Sequence, residues 1–222
     1  MPQEFERILA RYLPTNTVPQ VAQWISLYKI QLKITKKRST KLGDYRAPVQ
    51  ANKVHKITIN GDLNPYAFLF VFMHELAHLI VWLEHGHKHS PHGTAWKNAF
   101  SGLLLFALGK NFFPNDLVTE IAHFSQHIQA SGLGNPSLLR AFRRYDRNHS
   151  DLLYLEELPD KSFFGLPDGR LFQKGPQLRK RFRCQCMKTG RFYLFHPMAG
   201  VIKKENLTFA ENGLNHVELI PT

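Results

Sequence analysis

Residues 66–82 read YAFLFVFMHELAHLIVW, an apolar run that is interrupted by His74, Glu75 and His78. Positions four apart lie on one face of an α-helix, so His74 and His78 can direct two imidazoles at one metal ion. Glu75 lies about a third of a turn round the helix, where its carboxylate can reach a water molecule held by that ion. The stretch therefore predicts a buried helix equipped to hydrolyse an amide with activated water.

The alternative is that both histidines are core residues bonded to the backbone and that Glu75 pairs with a lysine. A helix that is apolar all round is buried, and polar side chains inside it are costly unless they are paired or bind a metal. Three such residues at this spacing on one apolar helix favour the metal site over the alternative.

A third protein ligand is required, because two histidines leave zinc short of the usual set. Residues 84–93 read EHGHKHSPHG, in which Gly86, Pro91 and Gly93 break the helix and predict a loop that folds back. Four histidines in or near this loop compete for the third position: His85, His87, His89 and His92. Spacing alone does not choose among them.

A resemblance to the SprT-like (Spartan-like) metallopeptidases is carried by two motifs, HELAH at residues 74–78 and HGTAWK at residues 92–97. The signature of that family is HExxH, then a variable loop, then His-Gly-x-x-Trp/Phe at the start of the next helix. The resemblance covers roughly Gln31 to Ala107. It implies a zincin-like fold with one catalytic zinc per chain, bound by His74, His78 and His92, with Glu75 as general base. It also implies that Trp96 packs behind the site, and zincins that use a downstream glutamate make Glu120 a further ligand candidate.

The predicted organisation is α+β, with a zincin-like metallopeptidase domain at residues 1–147, a linker at 148–159 and a small antiparallel β module at 160–222. Helices are expected at 4–12, 18–28, from Asn64-Pro65 through the motif, at 94–108 with Thr94 as its cap, at 115–130 and at 137–145. Alternation predicts strands at 30–34 and 55–60, separated by a basic loop or hairpin at 36–46. Thr189-Gly190 predicts a hairpin turn inside the β module.

The C-terminal segment departs from part of the family. Cys184 and Cys186 resemble the first half of the zinc ribbon that ends many SprT-like proteins, but no second cysteine pair follows. His196 and His216 could complete such a site only with unusual geometry. We therefore expect a β module without zinc in the place of the ribbon.

Charge favours polyanionic partners, because 29 Lys and Arg stand against 17 Asp and Glu, a formal net charge of +12. A solvated basic surface is the alternative. Aromatic residues among the C-terminal basic residues fit either base stacking or the core of the module, and we favour the core for Phe182, Phe192 and Tyr193. The candidate nucleic-acid residues are Lys36, Lys37, Arg38, Arg140, Arg143, Arg144, Arg179, Lys180 and Arg181.

The expected function is that of a zinc-dependent endopeptidase that cleaves protein or peptide substrates, and the resemblance extends this to DNA-associated or DNA-crosslinked proteins. Two cysteines separated by one residue are poorly placed for a disulfide, and the N-terminus does not read as a signal peptide. We expect a cytoplasmic protein without a membrane partner. The alternative function is a nucleic-acid-binding or regulatory module whose zinc is structural, with His85, His87 or His89 as fourth ligand.

Overall fold

The computed structural model describes residues 2–38, 40–48, 54–87, 90–128, 135–146 and 153–204. Helices and sheets both occur in these ranges, so the predicted α+β class is confirmed. His89, His216 and residues 129–130, 148–152 and 205–222 of the predicted elements lie outside the described residues. The chain divides into two compact units, Met1–Arg147 and Asn148–Thr222.

The first unit combines helices with a small mixed sheet. The central strand is β3, with β1 parallel on one side and β2 antiparallel on the other. The described elements are α1 (Pro2–Leu9), α2 (Val18–Leu27), β1 (Ile30–Thr35), β2 (Gly43–Arg46), β3 (His55–Asn60), α3 (Pro65–His85), α4 (Thr94–Gly109), α5 (Asn115–Gln126) and α6 (Pro136–Arg143).

Strand β2 lies inside the segment predicted as a basic loop or hairpin. Its four residues, Gly-Asp-Tyr-Arg, are too few and too polar to reveal a strand by alternation. The loop before it is fixed by Asn60, which is fully buried at the end of β3. The Asn60 side chain donates hydrogen bonds to the carbonyls of Arg38 (3.1 Å) and Lys41 (3.2 Å) and accepts one from the Arg38 Nε (2.7 Å). The start of β2 is thereby fixed at one edge of the sheet.

Helix α3 begins and ends with the signals expected of it. The Asn64 side chain caps it by accepting a hydrogen bond from the Ala67 amide at 2.9 Å, and Pro65 occupies the first turn. Gly86 ends the helix with a φ of 61°, a conformation that glycine adopts readily. Among the described residues, α3 is the one helix that is long and apolar enough to cross a membrane. However, 67% of its most apolar 18-residue window is buried inside the protein. We therefore describe it as the core helix of the first unit.

The core of the first unit forms around α3. The Phe70 ring meets the rings of Phe100, Phe124 and Phe142 edge to face, with centroids 5.2–5.5 Å apart. Helix α4 starts at the predicted position, but Thr94 is not its cap. Gly93 occupies the cap position in an extended conformation without a side-chain hydrogen bond, and Thr94 is the first helical residue.

The second unit is an antiparallel sheet, as expected for the C-terminal segment. Its described strands are β4 (Leu153–Tyr154), β5 (Phe163–Gly165), β6 (Leu171–Gln173), β7 (Gln177–Leu178), β8 (Arg181–Cys186), β9 (Phe192–Phe195) and β10 (Gly200–Lys204). The strand order is β4-β10-β5-β6-β8, with β7 and β9 also pairing with β8. The predicted hairpin joins β8 to β9, with Gly190 at φ 69° in the turn.

Residues predicted as linker contribute to this second unit. Leu155 and Leu158 are buried in its core together with Phe164, Phe172 and Val201. Between β6 and β7 the backbone of Gly175 passes so close to β8 that a Cβ on Gly175 would clash with the carbonyl oxygen of Arg183. Only glycine fits this approach without a shift, and it lets β6 and β7 pair with the same edge of β8.

Side chains of β8 and β9 divide between the two faces of the sheet. Phe182, Cys184 and Cys186 alternate into the core, and both cysteines are free thiols. Phe192 instead pairs with Gln185 on the opposite face and is 52% exposed. The prediction of a core position is therefore right for Phe182 and wrong for Phe192.

Replacement of Asn64 by alanine should destabilise the first unit by about 2–3 kcal/mol, because it removes a helix cap and two further hydrogen bonds of a buried side chain. Those bonds run from the Asn64 Nδ2 to the Phe142 carbonyl (2.9 Å) and to Asp146 (2.7 Å). The matched control is Asn135→Ala, which removes a helix cap alone and should cost about 1 kcal/mol. Urea denaturation followed by tryptophan fluorescence measures both, and equal losses would contradict the role given to Asn64.

Candidate metal centre

Three histidines converge at one point in the first unit. His74 and His78 project from α3 one turn apart, and His92 reaches them from the residue two positions before α4. The Nε2 atom of His92 lies 3.1 Å from that of His78 and 3.4 Å from that of His74. Their ligand atoms all lie within 4.8 Å of one another, so the group could hold a metal ion.

The spacing of these nitrogens fits a tetrahedral ion. Zinc binds histidine nitrogen at about 2.0–2.1 Å, which places two ligands of a tetrahedron roughly 3.3–3.4 Å apart. The two Nε2–Nε2 distances involving His92 bracket that value. Imidazole is also a ligand type suited to zinc. The donor set therefore fits the ion that the sequence predicts.

Trp96 lies behind all three histidines, as expected from the sequence. Its fully buried ring has centroid distances of 4.7, 5.3 and 4.6 Å to His74, His78 and His92. Its indole N–H also donates to the His74 carbonyl at 3.4 Å. One side chain of α4 thus supports all three imidazoles and leaves them little freedom to rotate.

The backbone at His92 adopts the left-handed conformation, with a φ of 57°. Few residues other than glycine adopt it, and histidine is among those that do so more often. Such a conformation is kept only where the surrounding structure enforces it. Here the turn closed by the Gly93 amide and the Ser90 carbonyl (3.0 Å) leads directly into α4. The strained residue is the one that brings the third imidazole to the helix.

Burial favours the neutral form of His74 and of His92. Burial, together with the charges of His78 and His92, lowers the pKa of His74 to about 3. Burial also lowers the pKa of His92. Metal ions bind neutral imidazole, so protons compete little for His74 and His92 at neutral pH.

Glu75 is buried beside the histidines under strand β2. Burial, and then the nearby charge of Asp44, raise the pKa of Glu75 to about 8, while a hydrogen bond from the Tyr45 amide opposes the shift. A Cβ added to Gly43 would clash with the Glu75 Oε1, so β2 packs directly on the carboxylate. Gly43 leaves room for the Glu75 carboxylate. Tyr45, two residues further along β2, holds that carboxylate through its backbone amide.

Tyr45 also contacts the metal site through its ring. The ring lies parallel to that of His78 (interplanar angle 1°) with centroids 6.5 Å apart. Its hydroxyl is 2.9 Å from the Nδ1 of His55 on β3, and the His55 ring meets Trp82 edge to face at 5.1 Å. Burial lowers the pKa of His55, which suits a neutral ring whose Nδ1 accepts a hydrogen bond from the Tyr45 hydroxyl. One β2 residue therefore touches both Glu75 and His78.

The other ligand candidates that lie in the described residues, His85, His87 and Glu120, are not members of this group. Within the described ranges, the group of metal-binding side chains consists of His74, His78 and His92. His85 lies 3.7 Å from Glu84, and His87 packs against Trp82. Glu120 is half-buried on α5 and is not a member of the group.

The candidate nucleic-acid residues have varied surroundings. The Arg38 guanidinium donates hydrogen bonds to the side chains of Asn60 and Thr58. Arg144 forms an ion pair with Asp116 at 3.4 Å. Lys37 lies 3.8 Å from Asp62. The others are half-buried or exposed on the loop after β1, on α6 and at the start of β8: Lys36, Arg140, Arg143, Arg179, Lys180 and Arg181.

Residues 15–105 match the model of the SprT-like family. The chain carries a SprT-like domain. The match includes α2, the three-stranded sheet, α3 and most of α4, and so contains Glu75 and all three histidines. The resemblance predicted from the two motifs is thereby confirmed. No curated protein and no solved structure matches the chain significantly.

Sequence reasoning missed the residues of the SprT-like domain that surround Glu75. Gly43, Tyr45 and His55 gave no motif, because their proximity to α3 depends on the pairing of β2 with β3. The alternation of β3 places His55 on the buried face, which was the available signal for that residue.

The metal-free protein should lose stability relative to Glu75→Gln as the pH rises from 6.5 to 8. The raised pKa of Glu75 means that the folded state keeps a proton that the unfolded state has already lost. Stability from this group is therefore present at low pH and is lost as the pH passes through about 8. We expect a relative loss of about 1–2 kcal/mol.

The comparison with Glu75→Gln removes contributions to the pH dependence that do not involve Glu75. The three tryptophans of the chain, Trp24, Trp82 and Trp96, all lie in the first unit, so their fluorescence in urea with EDTA reports on that unit. Parallel pH curves for the two proteins would contradict a buried, protonated Glu75.

Proposed function

We propose that the SprT-like domain is the catalytic domain of a zinc-dependent endopeptidase that hydrolyses protein substrates with Glu75 as general base. The observation that carries the proposal is the convergence of three imidazoles, with His92 at a spacing from His74 and from His78 that suits a tetrahedral ion, beside the buried carboxylate of Glu75. Three protein ligands leave one position open, which is the arrangement of catalytic rather than structural zinc sites.

Zinc bound by His74, His78 and His92 would polarise the scissile carbonyl and make the attacking water more acidic. The histidines are suited to hold it because burial keeps His74 and His92 neutral. Trp96 fixes the three rings from behind, so little reorganisation is needed when the ion binds.

Glu75 would take the proton of the attacking water and then deliver it to the leaving amine. The Tyr45 amide orients the carboxylate of Glu75. The raised pKa of Glu75, about 8, lies near neutral pH, where one group can both accept and donate a proton. A dication held by the three histidines would favour the ionised form of Glu75, the form that accepts a proton.

Strand β2 is the proposed binding edge for the substrate backbone. It packs on Glu75, and among the described strands it pairs only with β3. An extended substrate added along such an edge gains main-chain hydrogen bonds without strong demands on its sequence. Its scissile bond would then run past the carboxylate and the histidines.

DNA-associated or DNA-crosslinked proteins are the substrate class implied by the family, and the cytoplasm is the proposed compartment. The net charge of +12 supports recruitment to a polyanion. The free thiols of Cys184 and Cys186 suit a reducing compartment.

The first experiment compares zinc content and peptidase activity of the wild type, Glu75→Gln and His92→Ala. Wild type should bind one zinc per chain and cleave an unfolded protein substrate. Glu75→Gln should keep its zinc and lose at least about a hundredfold in kcat, because proton transfer is lost. His92→Ala should lose its zinc, which mass spectrometry of the purified proteins measures.

An active Glu75→Gln protein, free of wild-type contamination, would rule out this mechanism. A wild type that binds one zinc but cleaves nothing, with or without DNA, would favour the structural-zinc alternative. Zinc binding that is indifferent to His92 would mean that the third ligand is another residue.

Gly43→Ala should reduce kcat/KM by about tenfold or more without loss of zinc, since small displacements of a catalytic group are costly. The added Cβ would collide with the Glu75 side chain and would lie 2.7 Å from the Val71 Cγ1. The control is Gly102→Ala on α4, where a Cβ meets nothing within 4 Å and activity should be unchanged. Full activity in Gly43→Ala would contradict the close packing of β2 on Glu75.

A further inference from the structure

Helix α5 carries a second pair of histidines at the spacing of the first metal motif. His123 and His127 lie four residues apart, as His74 and His78 do on α3. The rings of His123 and His127 have centroids 5.5 Å apart at an interplanar angle of 65°, and those of His74 and His78 are 5.2 Å apart at 64°. The second pair therefore closely matches the ring arrangement that helps to form the metal centre.

The fold does not use this second pair of rings. The side chains of His123 and His127 are both exposed. In the described part of the chain, neither imidazole forms a hydrogen bond or an ion pair, and the two rings contact each other. Both rings can therefore turn to a ligand without disturbing the packing of α5.

Glu120 adds a carboxylate on the same side of α5. At 3.6 residues per turn, Glu120, His123 and His127 lie within about 60° of one another round the helix axis. Glu-x-x-His on one helix is itself a recurrent spacing of metal ligands. Across the described residues, the Glu120 carboxylate does not form a ligand group with the two rings, so it would have to turn toward them when an ion binds.

The position of the pair at the end of α5 favours a cation. The helix ends at Gln126, and its last turn contains His123 but neither lysine nor arginine. The carbonyl groups at the C-terminal end of a helix carry a partial negative charge that attracts cations. An ion bound by His123 and His127 would lie at this end.

We propose that Glu120, His123 and His127 bind a second zinc ion, separate from the metal centre. Two histidines and one glutamate are a ligand set that zinc accepts, whereas Mg²⁺ prefers oxygen ligands. The exposed rings are not held in place as the ring of His74 is by Trp96, so this ion should bind more weakly than that of the metal centre. Gel filtration in zinc-free buffer should therefore remove it and leave one zinc per chain.

The test is a zinc titration by isothermal titration calorimetry, with full-length protein that already holds one zinc in the metal centre. The wild type should take up one further zinc. His123→Gln and His127→Gln should each weaken this second step at least tenfold, because loss of even a supporting residue costs roughly 10–100-fold in metal affinity. Glu120→Gln should also weaken it, because it removes the anionic ligand.

Two controls separate this site from casual binding to exposed histidines. His85 lies in the last turn of α3 beside Glu84, but the residue four positions before it is Val81, so His85→Gln should bind the second zinc like the wild type. Ala122→His combined with His123→Ala keeps the number of histidines but moves one ring to another side of α5. This exchange should weaken binding as much as His123→Gln does. A roughly hundredfold excess of Mg²⁺ should not compete, because imidazole is a poor ligand for it.

The proposal is overturned if the wild type takes up no second zinc, or if His85→Gln weakens binding as His123→Gln does. Full affinity after the exchange of residues 122 and 123, or competition by Mg²⁺, would also overturn it. Undiminished binding in Glu120→Gln would overturn the third ligand. Circular dichroism verifies the fold of each variant. His92→Ala, which lacks a ligand of the metal centre, should still take up the second zinc, so failure of the metal centre and failure of the α5 site give different results.

Discussion

Burial of α3 is the constraint on which the first unit depends. The helix is surrounded by apolar packing, yet it carries His74, Glu75 and His78 in its middle. Polar groups in such a place must be bonded, paired or bound to an ion. The structure meets this demand from two sides. The turn before α4 brings His92 to His74 and His78, α4 itself brings Trp96, and β2 brings the Tyr45 amide to the Glu75 carboxylate.

The two sides differ in how much freedom they leave. Around the histidines, every ring packs on Trp96, and His92 is held in an uncommon backbone conformation. Such packing orients ligands before an ion arrives, which is how supporting residues tune a metal site. Around Glu75, the contacts come from an edge strand with one edge unpaired among the described strands. The histidines are thus held by packing on Trp96, whereas Glu75 is covered by a strand whose outer edge is unpaired among the described strands.

The elements with strong local signals could be predicted from the sequence. Helix α3 follows from an apolar run between Asn64-Pro65 and Gly86, and β3 from its alternation. His74 and His78 could be predicted from the spacing of the first motif alone. His92 could be selected among the four candidate histidines only through the family resemblance. Strand β2 could not be predicted, because four mostly polar residues are too few to show the alternation of a strand. Phe192 was misjudged because aromatic residues on a strand usually face a core, and its face depends on register with β8.

The loop held by Asn60 gives the chain a constraint on length rather than on side-chain identity. Successive strand residues point to opposite faces, so a shift by one position exchanges the faces completely. One residue inserted or removed between Lys41 and Gly43 would replace the glycine above Glu75 by Leu42 or Asp44. The first would fill the space with an isobutyl group, and the second would set a second anion against the carboxylate. The number of residues between the anchored loop and strand β2 is therefore constrained, and a search for motif residues would not detect this constraint.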